Sequence, residues 1–486
     1  ENSALYVSGN SQNLVRTEVA GSSTQKMYIS FWIYFTSRGI FHFTWGITES
    51  SGNSLNYLGI NTDSTLVYLD RDSSITAQCH LITTQVFRDT GWYHVELLFD
   101  TTQSVASNRN IFKVNGKRIT DFNTETNYTL NDNFGSAGIA DNFCTFGDYH
   151  VSAYYYLDGY MAEVVRIDGD PAGISTGEFD STGLYWTPKS SAEIKALTFG
   201  NNGCYLDNVT NAQTDASGEG HNFTNNNTVT TTTHTPTNTE FLWAPINIGS
   251  VASTVPVTSN GNRTILCSGP DNDNEPRMGG NLAFPSAGKW IAGVTVADTG
   301  NGKSFGVWTN RAQAVRLSNT EGMAGWFVSS AQTMHNSSGT INPVGVVTTA
   351  TDDTLWIAVD IDNQNIFFGL YDLSATTITW YAADGGTDGN PSTGANPSEA
   401  SLDMAGATFG FAGRSSKTYT LVEEADIPFT MPTGFKFLNT TNIAAATTRT
   451  VSDTTKYFDT ILYEGNGAQQ KVGQFQPFGN AFTVGN

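Results

Sequence analysis

"DTGWYHVELLFDTTQSVASNRNIFKVNGKRIT", residues 89–120, decides how the rest of the chain is read. Trp92, Tyr93 and His94 lead into alternating apolar residues that end at Asp100. After a gap of loop residues, "NIFKVNGKRI" reads as a strand, a turn on Asn115-Gly116 and a return strand. Asn-Gly between alternating runs is the strongest short-range hairpin signal, because both central positions of a two-residue turn need positive φ. On this reading Trp92 and Val95 pack in the core, and the stretch is scaffold rather than chemistry.

The same pattern recurs outward from it. "KMYISFWIYF", "STLVYLD", "GYMAEVVRID", "KWIAGVTVA", "LWIAVDID" and "NIFFGLYD" alternate, with Gly, Asn, Asp, Ser and Pro between them, and helical periodicity is almost absent. Short strands with turn signals at such spacing predict an all-β chain of two antiparallel β-sandwich (jelly-roll) domains in tandem. In "MYISFWIYF", Tyr28, Ser30, Trp32 and Tyr34 share one side, and Met27, Ile29, Phe31, Ile33 and Phe35 the other. Both sides are apolar enough for a central strand covered on both faces. The Asn/Thr-rich stretch 218–239, "GEGHNFTNNNTVTTTTHTPTNT", has little to bury and reads as an extended linker. It separates a first sandwich, 1–217, from a second, 240–437. Residues 438–486 are too few for a domain and read as a short extended C-terminal segment docked on a neighbour or on another subunit.

Composition narrows the class. Of 486 residues, 38% are hydrophobic and 12% aromatic, but only 14% are charged, against a usual share of about 25%. Asn, Thr, Ser and Gly must carry the surface, as in secreted and virion proteins; a β-rich chain with many turns has the same composition. Net charge is −21 and Lys and Arg never cluster, so the reading is of no nucleic acid and no anionic membrane as partner. No run of about 18 apolar residues is present, so no membrane insertion is expected. The chain begins "ENSALYVSGN", without Met or a signal-peptide pattern, and the expectation is of a processed or trimmed product. Cys79, Cys144, Cys204 and Cys267 lie roughly sixty residues apart without a CxxC pair, which favours free buried thiols over a disulfide or a zinc site.

The hairpin resembles the "W-x-H-V … V-N-G" hairpin of laminin-G-like, concanavalin A-like lectin sandwiches. "YYLDGYMAEVVRIDG" (155–169), with Glu163, resembles the closing "F-x-G-x-I-x-E-V" strand of that superfamily. "SALYVSGNSQNL", "LITTQVFRDT" (81–90), "FDSTGLYWTPK" (179–189), "NGCYLD" (202–207), "DASGEGHNFT" (215–224) and "TPTN" (235–238) follow in an order similar to that of structural or tail-associated proteins of bacteriophages, many of them marine. The second block resembles the SPRY-like module: "GKWIAGVTV" (288–296), "FGVW" (305–308) and "DDTLWIAVDIDNQNIFFGL" (352–370) match its strands. It departs from the pattern at Ala292-Gly293, where an acidic residue is usual. The resemblance implies a virion structural protein, of capsid surface, tail or fibre, in an extracellular or virion-surface location. It also implies self-association into a homo-oligomer, other virion proteins as partners, and host-surface glycans as ligands in host attachment.

Candidate chemistry is sparse. No alternating pair of acids for a retaining glycosidase, no G-x-S-x-G, no H-E-x-x-H and no P-loop occurs, so the chain reads as not an enzyme. Glu163 stands among apolar neighbours with Arg166 on the opposite side of a strand, which suits an edge or interface contact. His94 and His150 read as packed or surface histidines. "DYHVSAYYYLDGY" (148–160) has the ingredients of a carbohydrate site: Tyr149, Tyr154 and Tyr156 for stacking and Asp158 for hydroxyls, with Tyr154 and Tyr156 on one strand face and Tyr155 on the other. A subunit interface and plain core are the competing uses of these tyrosines. "DNDNEP" sets Asp271, Asp273 and Glu275 at alternate positions, hard oxygen ligands suited to calcium; Pro276 and Leu282 exclude an EF-hand, and an acidic solvated loop is the competing reading. The chain ends "QFQPFGNAFTVGN", similar to a phrase that precedes the "S-A-x-F" opening in the phage group. The ends therefore suggest a unit cut from a longer array, a terminal strand added to a neighbour's sheet, or an ordinary terminal strand. The alternative to a virion protein is a non-viral extracellular filament or adhesin subunit assembled head-to-tail through its termini.

Overall fold

The computed structural model describes residues 1–446 apart from 89–90, 150–154, 182, 184, 245–256, 268–276, 298–302, 309–322, 329–332, 337–338, 344–348, 402–403, 405–406 and 414–416. In it "KMYISFWIYF" becomes the strand Lys26–Phe35. Met27, Ile29, Phe31, Ile33 and Phe35 enter the main core of the first sandwich. On the other face Tyr28 packs with Val165, Ile194, Phe199 and Tyr205, and Tyr34 with Leu5, Tyr160 and Leu242. The strand is covered on both faces, as its two-sided apolar pattern requires.

Around it lies an eight-stranded antiparallel sheet, in the order Lys117–Arg118, Asn110–Val114, Tyr93–Asp100, Lys26–Phe35, Gly159–Ile167, Ser3–Tyr6 and Thr230–Thr232, with Cys204–Leu206 also paired to Gly159–Ile167. The opposing eight-stranded sheet runs Phe122–Thr126, Ala77–Val86, Thr65–Arg71, Leu55–Ile60, His42–Thr48, Phe143–Phe146, Asn13–Thr17 and Thr224–Asn226. The Asn115-Gly116 hairpin pairs Val114 with Lys117 and Lys113 with Arg118, and the preceding strand adds to it with Val95 opposite Val114 and Phe99 opposite Asn110. Asn115 and Gly116 have φ of 47° and 75°, the left-handed pair that a type I′ turn demands. Val95, Leu97 and Phe99 are core residues. Trp92 is not: it packs half-buried against Leu5, Tyr34 and Tyr160 on the sheet's other face. Strand side chains alternate with period two, so residues three apart cannot share a face.

Residues 218–239 are not an open linker. Thr224–Asn226 pairs with Asn13–Thr17, and Thr230–Thr232 pairs with Ser3–Tyr6, so one short tract closes an edge of each sheet. Thr suits a half-buried pleated surface, and the asparagines satisfy polar groups: the Asn225 amide donates to Val229 O at 2.9 Å and the Asn226 amide to Asn13 Oδ1 at 2.8 Å. Glu163 is not at an edge either. A bulge falls between the pairings Ala162↔Trp32 and Val165↔Ser30, Glu163 takes φ +49° there, and its buried carboxylate accepts from the Tyr205 hydroxyl. Burial pushes that carboxyl up to about 7. Arg166 is buried as well and donates to both oxygens of Glu18, at 2.7 and 2.8 Å. Cys79, Cys144 and Cys204 are buried free thiols.

The second sandwich sets a nine-stranded sheet, centred on Lys289–Val296, Thr354–Asp360 and Asn365–Asp372, against a six-stranded one centred on Lys303–Trp308 and Thr408–Gly413. Ala292 lies in its main core. Gly293 lies beneath the Trp356 indole, where an added Cβ would come within 2.6 Å of the ring. This explains the departure from the acidic residue usual in SPRY-like strands: no side chain fits under the tryptophan. Phe435–Phe437 adds to Lys289–Val296 in parallel, and the helix Thr440–Ala446 follows, with Asn439 bridged to Glu240. Residues 447–486, and with them the expectations for the C-terminal phrase, lie outside the described residues. Among the described residues no helix is long and apolar enough to cross a membrane.

Gly293→Ala is expected to cost about 1–3 kcal/mol, the range for overpacking a filled core. Gly116→Ala combines φ +75° with a Trp186 ring 2.6 Å from the new Cβ and is expected to cost at least as much. Chemical denaturation of both variants beside Gly9→Ala, whose Cβ meets nothing within 4 Å, checks this; equal midpoints for all three would contradict it.

Candidate functional site

The outer face of the second sheet of the first sandwich is paved with aromatic rings. In the strand Leu55–Ile60, Leu58 and Ile60 point into the core, so Tyr57 and Gly59 face outward. In His42–Thr48, Trp45 and Ile47 are core residues, and strict alternation would send Phe43 inward with them. A register shift between Phe43 and Trp45 instead turns Phe43 to the outer face, where its ring lies over Gly46; the Phe41 ring lies over Gly59 in the same way. A Cβ on either glycine would come within 2.3 and 2.6 Å of those rings, so the two glycines make room for the paving.

The rings form a chain. Phe43 lies 5.6 Å from Tyr57 and 5.7 Å from Tyr149, and Phe41 lies 5.9 Å from Tyr57 and 5.2 Å from Tyr155. Each such pair contributes about 0.5–1.5 kcal/mol beyond the area it buries, which fixes the rings before any ligand arrives. Phe43 is roofed over; Phe41, Tyr57 and Tyr149 are half-buried, and Tyr155 is 45% exposed. The Tyr149 hydroxyl donates to Gly52 O at 3.3 Å, and Arg71 donates to the same carbonyl at 2.7 Å and to Asn53 O at 2.9 Å. Burial pushes the Tyr57 and Tyr149 hydroxyls above the usual phenol range, while the Arg71 charge pulls both back. The surface thus offers half-exposed rings, in stacked and edge-on contact with one another and edged by hydroxyls and one guanidinium, which suits packing against the apolar C–H face of a sugar.

Of the residues singled out in the sequence, Tyr149 belongs to this surface. Tyr154, Asp271, Asp273 and Glu275 lie outside the described residues. Residues 155–158 are irregular and the strand begins at Gly159, so the alternation that set Tyr155 against Tyr154 and Tyr156 does not operate; Tyr155 joins the rings, and half-buried Tyr156 makes none of these ring contacts. Asp158 anchors the turn: its Oδ1 accepts from Ser8 N at 3.4 Å, its carbonyl from Thr36 N at 3.0 Å, and its N–H donates to His42 Nδ1 at 3.2 Å. Phe43 escaped the sequence reading because a bulge, not alternation, turns it outward, and Phe41 and Tyr57 because the ring contacts that join the three are tertiary; the signal available was the glycines at 46 and 59 in otherwise β-rich runs. Among the described residues no group of three or more His, Cys, Asp or Glu is placed to hold a metal ion.

Another cluster imitates a catalytic triad. His94 Nε2 lies 2.9 Å from Thr176 Oγ1, which is 2.7 Å from Ser30 Oγ, and Glu96 Oε2 lies 3.7 Å from His94 Nδ1. Trp186 Nε1, however, donates to His94 Nδ1 at 3.0 Å. Indole is a donor only, so Nδ1 is unprotonated and Nε2–H must donate to Thr176. A general base needs the reverse at Nε2. His94, Glu96 and Ser30 are all fully buried. The network ties the 177–188 hairpin to the sheet.

At the junction of the sandwiches Arg263, 4% exposed, meets Glu240 at 2.6 Å and Glu423 at 2.5 Å. The Tyr160 hydroxyl donates to Gly261 O at 2.7 Å, and the rings of Tyr34, Tyr160 and Trp92 surround His234 at 4.7 to 5.3 Å. A cleft of about 350 Å³ beside it is lined by Arg263, Thr354, Tyr371, Thr420, Glu423 and Asp426. The guanidinium in its wall is already neutralised by two glutamates.

No family model matches the chain, and no curated protein matches it in sequence. Among solved structures it is similar to the LG4-5 domains of the mouse laminin α1 chain, at 8% identity over 86% of this chain and 82% of that one, with a TM-score of 0.29. It is also similar to the SPRY domain of human HERC1, at 12% identity over 37% of this chain and 98% of that one, TM-score 0.25. A heptameric SAP-like pentraxin from Limulus polyphemus matches at 11% identity over 33% of this chain and 70% of that one, TM-score 0.25. At these identities and scores the likeness carries no conclusion about activity.

Burial pushes His94 down from 6.5 to about 3. Its contribution to stability is therefore complete above pH 6.5 and is lost as pH falls, since the unfolded chain then binds a proton that the folded one refuses. Comparing His94→Gln with the parent chain by denaturation should show the parent losing about 1.5 kcal/mol more between pH 6.5 and 5. Parallel pH profiles would contradict a buried neutral imidazole.

Proposed function

We propose that this chain is a non-catalytic structural protein of a virion, at the capsid surface, tail or fibre, that self-associates and contacts host-surface glycans through the aromatic face of its first sandwich. The observation that carries the glycan part is the chain of rings from Tyr149 through Phe43, Tyr57 and Phe41 to Tyr155, with Phe43 and Phe41 set over Gly46 and Gly59. The ordered likeness of residues 3–240 to phage structural proteins supports the virion part. The hydrogen-bond direction at His94 and the burial of that cluster support a binding role over a catalytic one.

Two experiments test it. Binding of the full chain to an array of bacterial surface polysaccharides should weaken about tenfold in Tyr155→Ala and in Tyr149→Ala, with circular dichroism showing each variant still folded, since tenfold corresponds to about 1.4 kcal/mol and one ring contact supplies roughly that much. Electron microscopy of native material, with peptide mass spectrometry of the same fraction, should place the chain on phage particles. Absence of glycan binding removes the first part; free filaments without capsids remove the second.

A further inference from the structure

Arg71 sits where its charge has no use inside the fold. Elsewhere the first sandwich neutralises its buried cations: Arg166 and Arg16 share Glu18. The junction does the same, with Arg263 between Glu240 and Glu423. Arg109 is spent on backbone, its Nε, Nη1 and Nη2 donating to the carbonyls of Gln103, Tyr128 and Ser104. Arg71 uses Nε and one Nη2 hydrogen on the carbonyls of Asn53 and Gly52. It pairs with no carboxylate among the described residues, in a chain of net charge −21. The nearby acids are engaged elsewhere: Glu49 accepts from Ser51 and Ser54, and Asp72 from Ser74, Thr76 and Gln78.

The two carbonyls hold the guanidinium at the edge of the ring surface. Gly52 O receives both Arg71 and the Tyr149 hydroxyl, and the charge of Arg71 acts on Tyr57 as well as Tyr149. Of the five guanidinium N–H groups, two are spent on these carbonyls and another lies within hydrogen-bond reach of the Tyr149 hydroxyl, which leaves two beside the half-exposed rings. A sugar stacked on Tyr149 or Tyr57 would set its substituents against this fork. A neutral hydroxyl would use one donor and leave the charge unmatched, whereas a carboxylate or sulfate accepts two parallel N–H bonds and neutralises it.

We infer that the ring surface selects anionic saccharides, with Arg71 as the specificity-determining residue that receives a carboxylate or sulfate group. This rests on the glycan reading above and adds the ligand class. The chain's own negative charge makes the choice selective: polyanions are repelled in general, and only one that presents its anionic group to Arg71 while stacking recovers the loss.

Matched probes test it on the full chain: oligogalacturonate against its methyl ester, and dextran sulfate against dextran. At least one acidic member is expected to bind about tenfold tighter than its neutral partner. The preference should shrink with added salt, vanish in Arg71→Gln and survive in part in Arg71→Lys, which keeps the charge without the fork. Tyr155→Ala should weaken acidic and neutral members alike. Circular dichroism and melting of each variant report folding; if Arg71→Gln melts early because the 49–54 turn loosens, the lysine variant still separates charge from anchoring. Equal binding of acidic and neutral members, unaffected by Arg71→Gln, overturns the inference and leaves the glycan reading standing. Failure of all four probes to bind, with Tyr149→Ala and Tyr155→Ala equally silent on the polysaccharide array, overturns both.

Discussion

The strand Lys26–Phe35 must bury side chains on both of its faces, and most of the first sandwich follows from that requirement. One face supplies Met27, Ile29, Phe31, Ile33 and Phe35 to the core between the sheets. The other presents Tyr28, Ser30, Trp32 and Tyr34, all buried, and has to be covered by something that meets the Tyr28 and Ser30 hydroxyls. The segment after Ile167 does so, with Thr176 bonded to Ser30 and the Ile194–Phe199 region packed on Tyr28. A register slip of one residue would exchange the two faces, so packing and hydrogen bonding specify the same pairing. The neighbouring strand is held alike: Val95, Leu97 and Phe99 lie on the core side, His94 and Glu96 on the polar side.

A chain with so few charges holds its long loops by other means. Single carboxylates and amides gather several backbone N–H groups. Asp215 accepts from the amides of Tyr205, Ser217 and His221. Asp168 accepts from those of Ser22 and Asn202. Asp70, buried with Tyr128, accepts from Gly135 N, and burial pushes its carboxyl up to about 7. Each replaces part of a strand ladder by one side chain, so the loops stay ordered while the surface keeps its Asn, Thr and Ser. In such a setting the Arg71 guanidinium, like that of Arg109, is held by carbonyls and pairs with no acid among the described residues, but it lies beside the rings.

The aromatic face follows from the same economy. Gly46 and Gly59 remove side chains from the outer surface, and the bulge near Thr44 delivers Phe43 to the space created. The rings then support one another at 5 to 6 Å, so a ligand would meet a surface already ordered and the entropic cost of binding falls on the ligand. An ordered, polar-edged surface of this kind suits a saccharide better than an apolar protein partner, which would want a wider dry core.

The two-faced strand, the Asn115-Gly116 hairpin, the second all-β block and the free thiols of Cys79, Cys144 and Cys204 were legible in the sequence, because alternation and turn chemistry are local and act over a few residues. The places where local reading failed have one cause. Trp92 lies on the far face because it is three residues from Val95; Glu163 and Phe43 lie in bulges that change face without changing composition; residues 224–232 look like a linker until two sheet edges 200 residues away in the chain offer them partners. Sequence by itself determined the long central strands and what each could bury. Which edges they close, which rings meet and which arginine stands beside them were decided only by the tertiary structure, because those depend on contacts between residues that no local period connects.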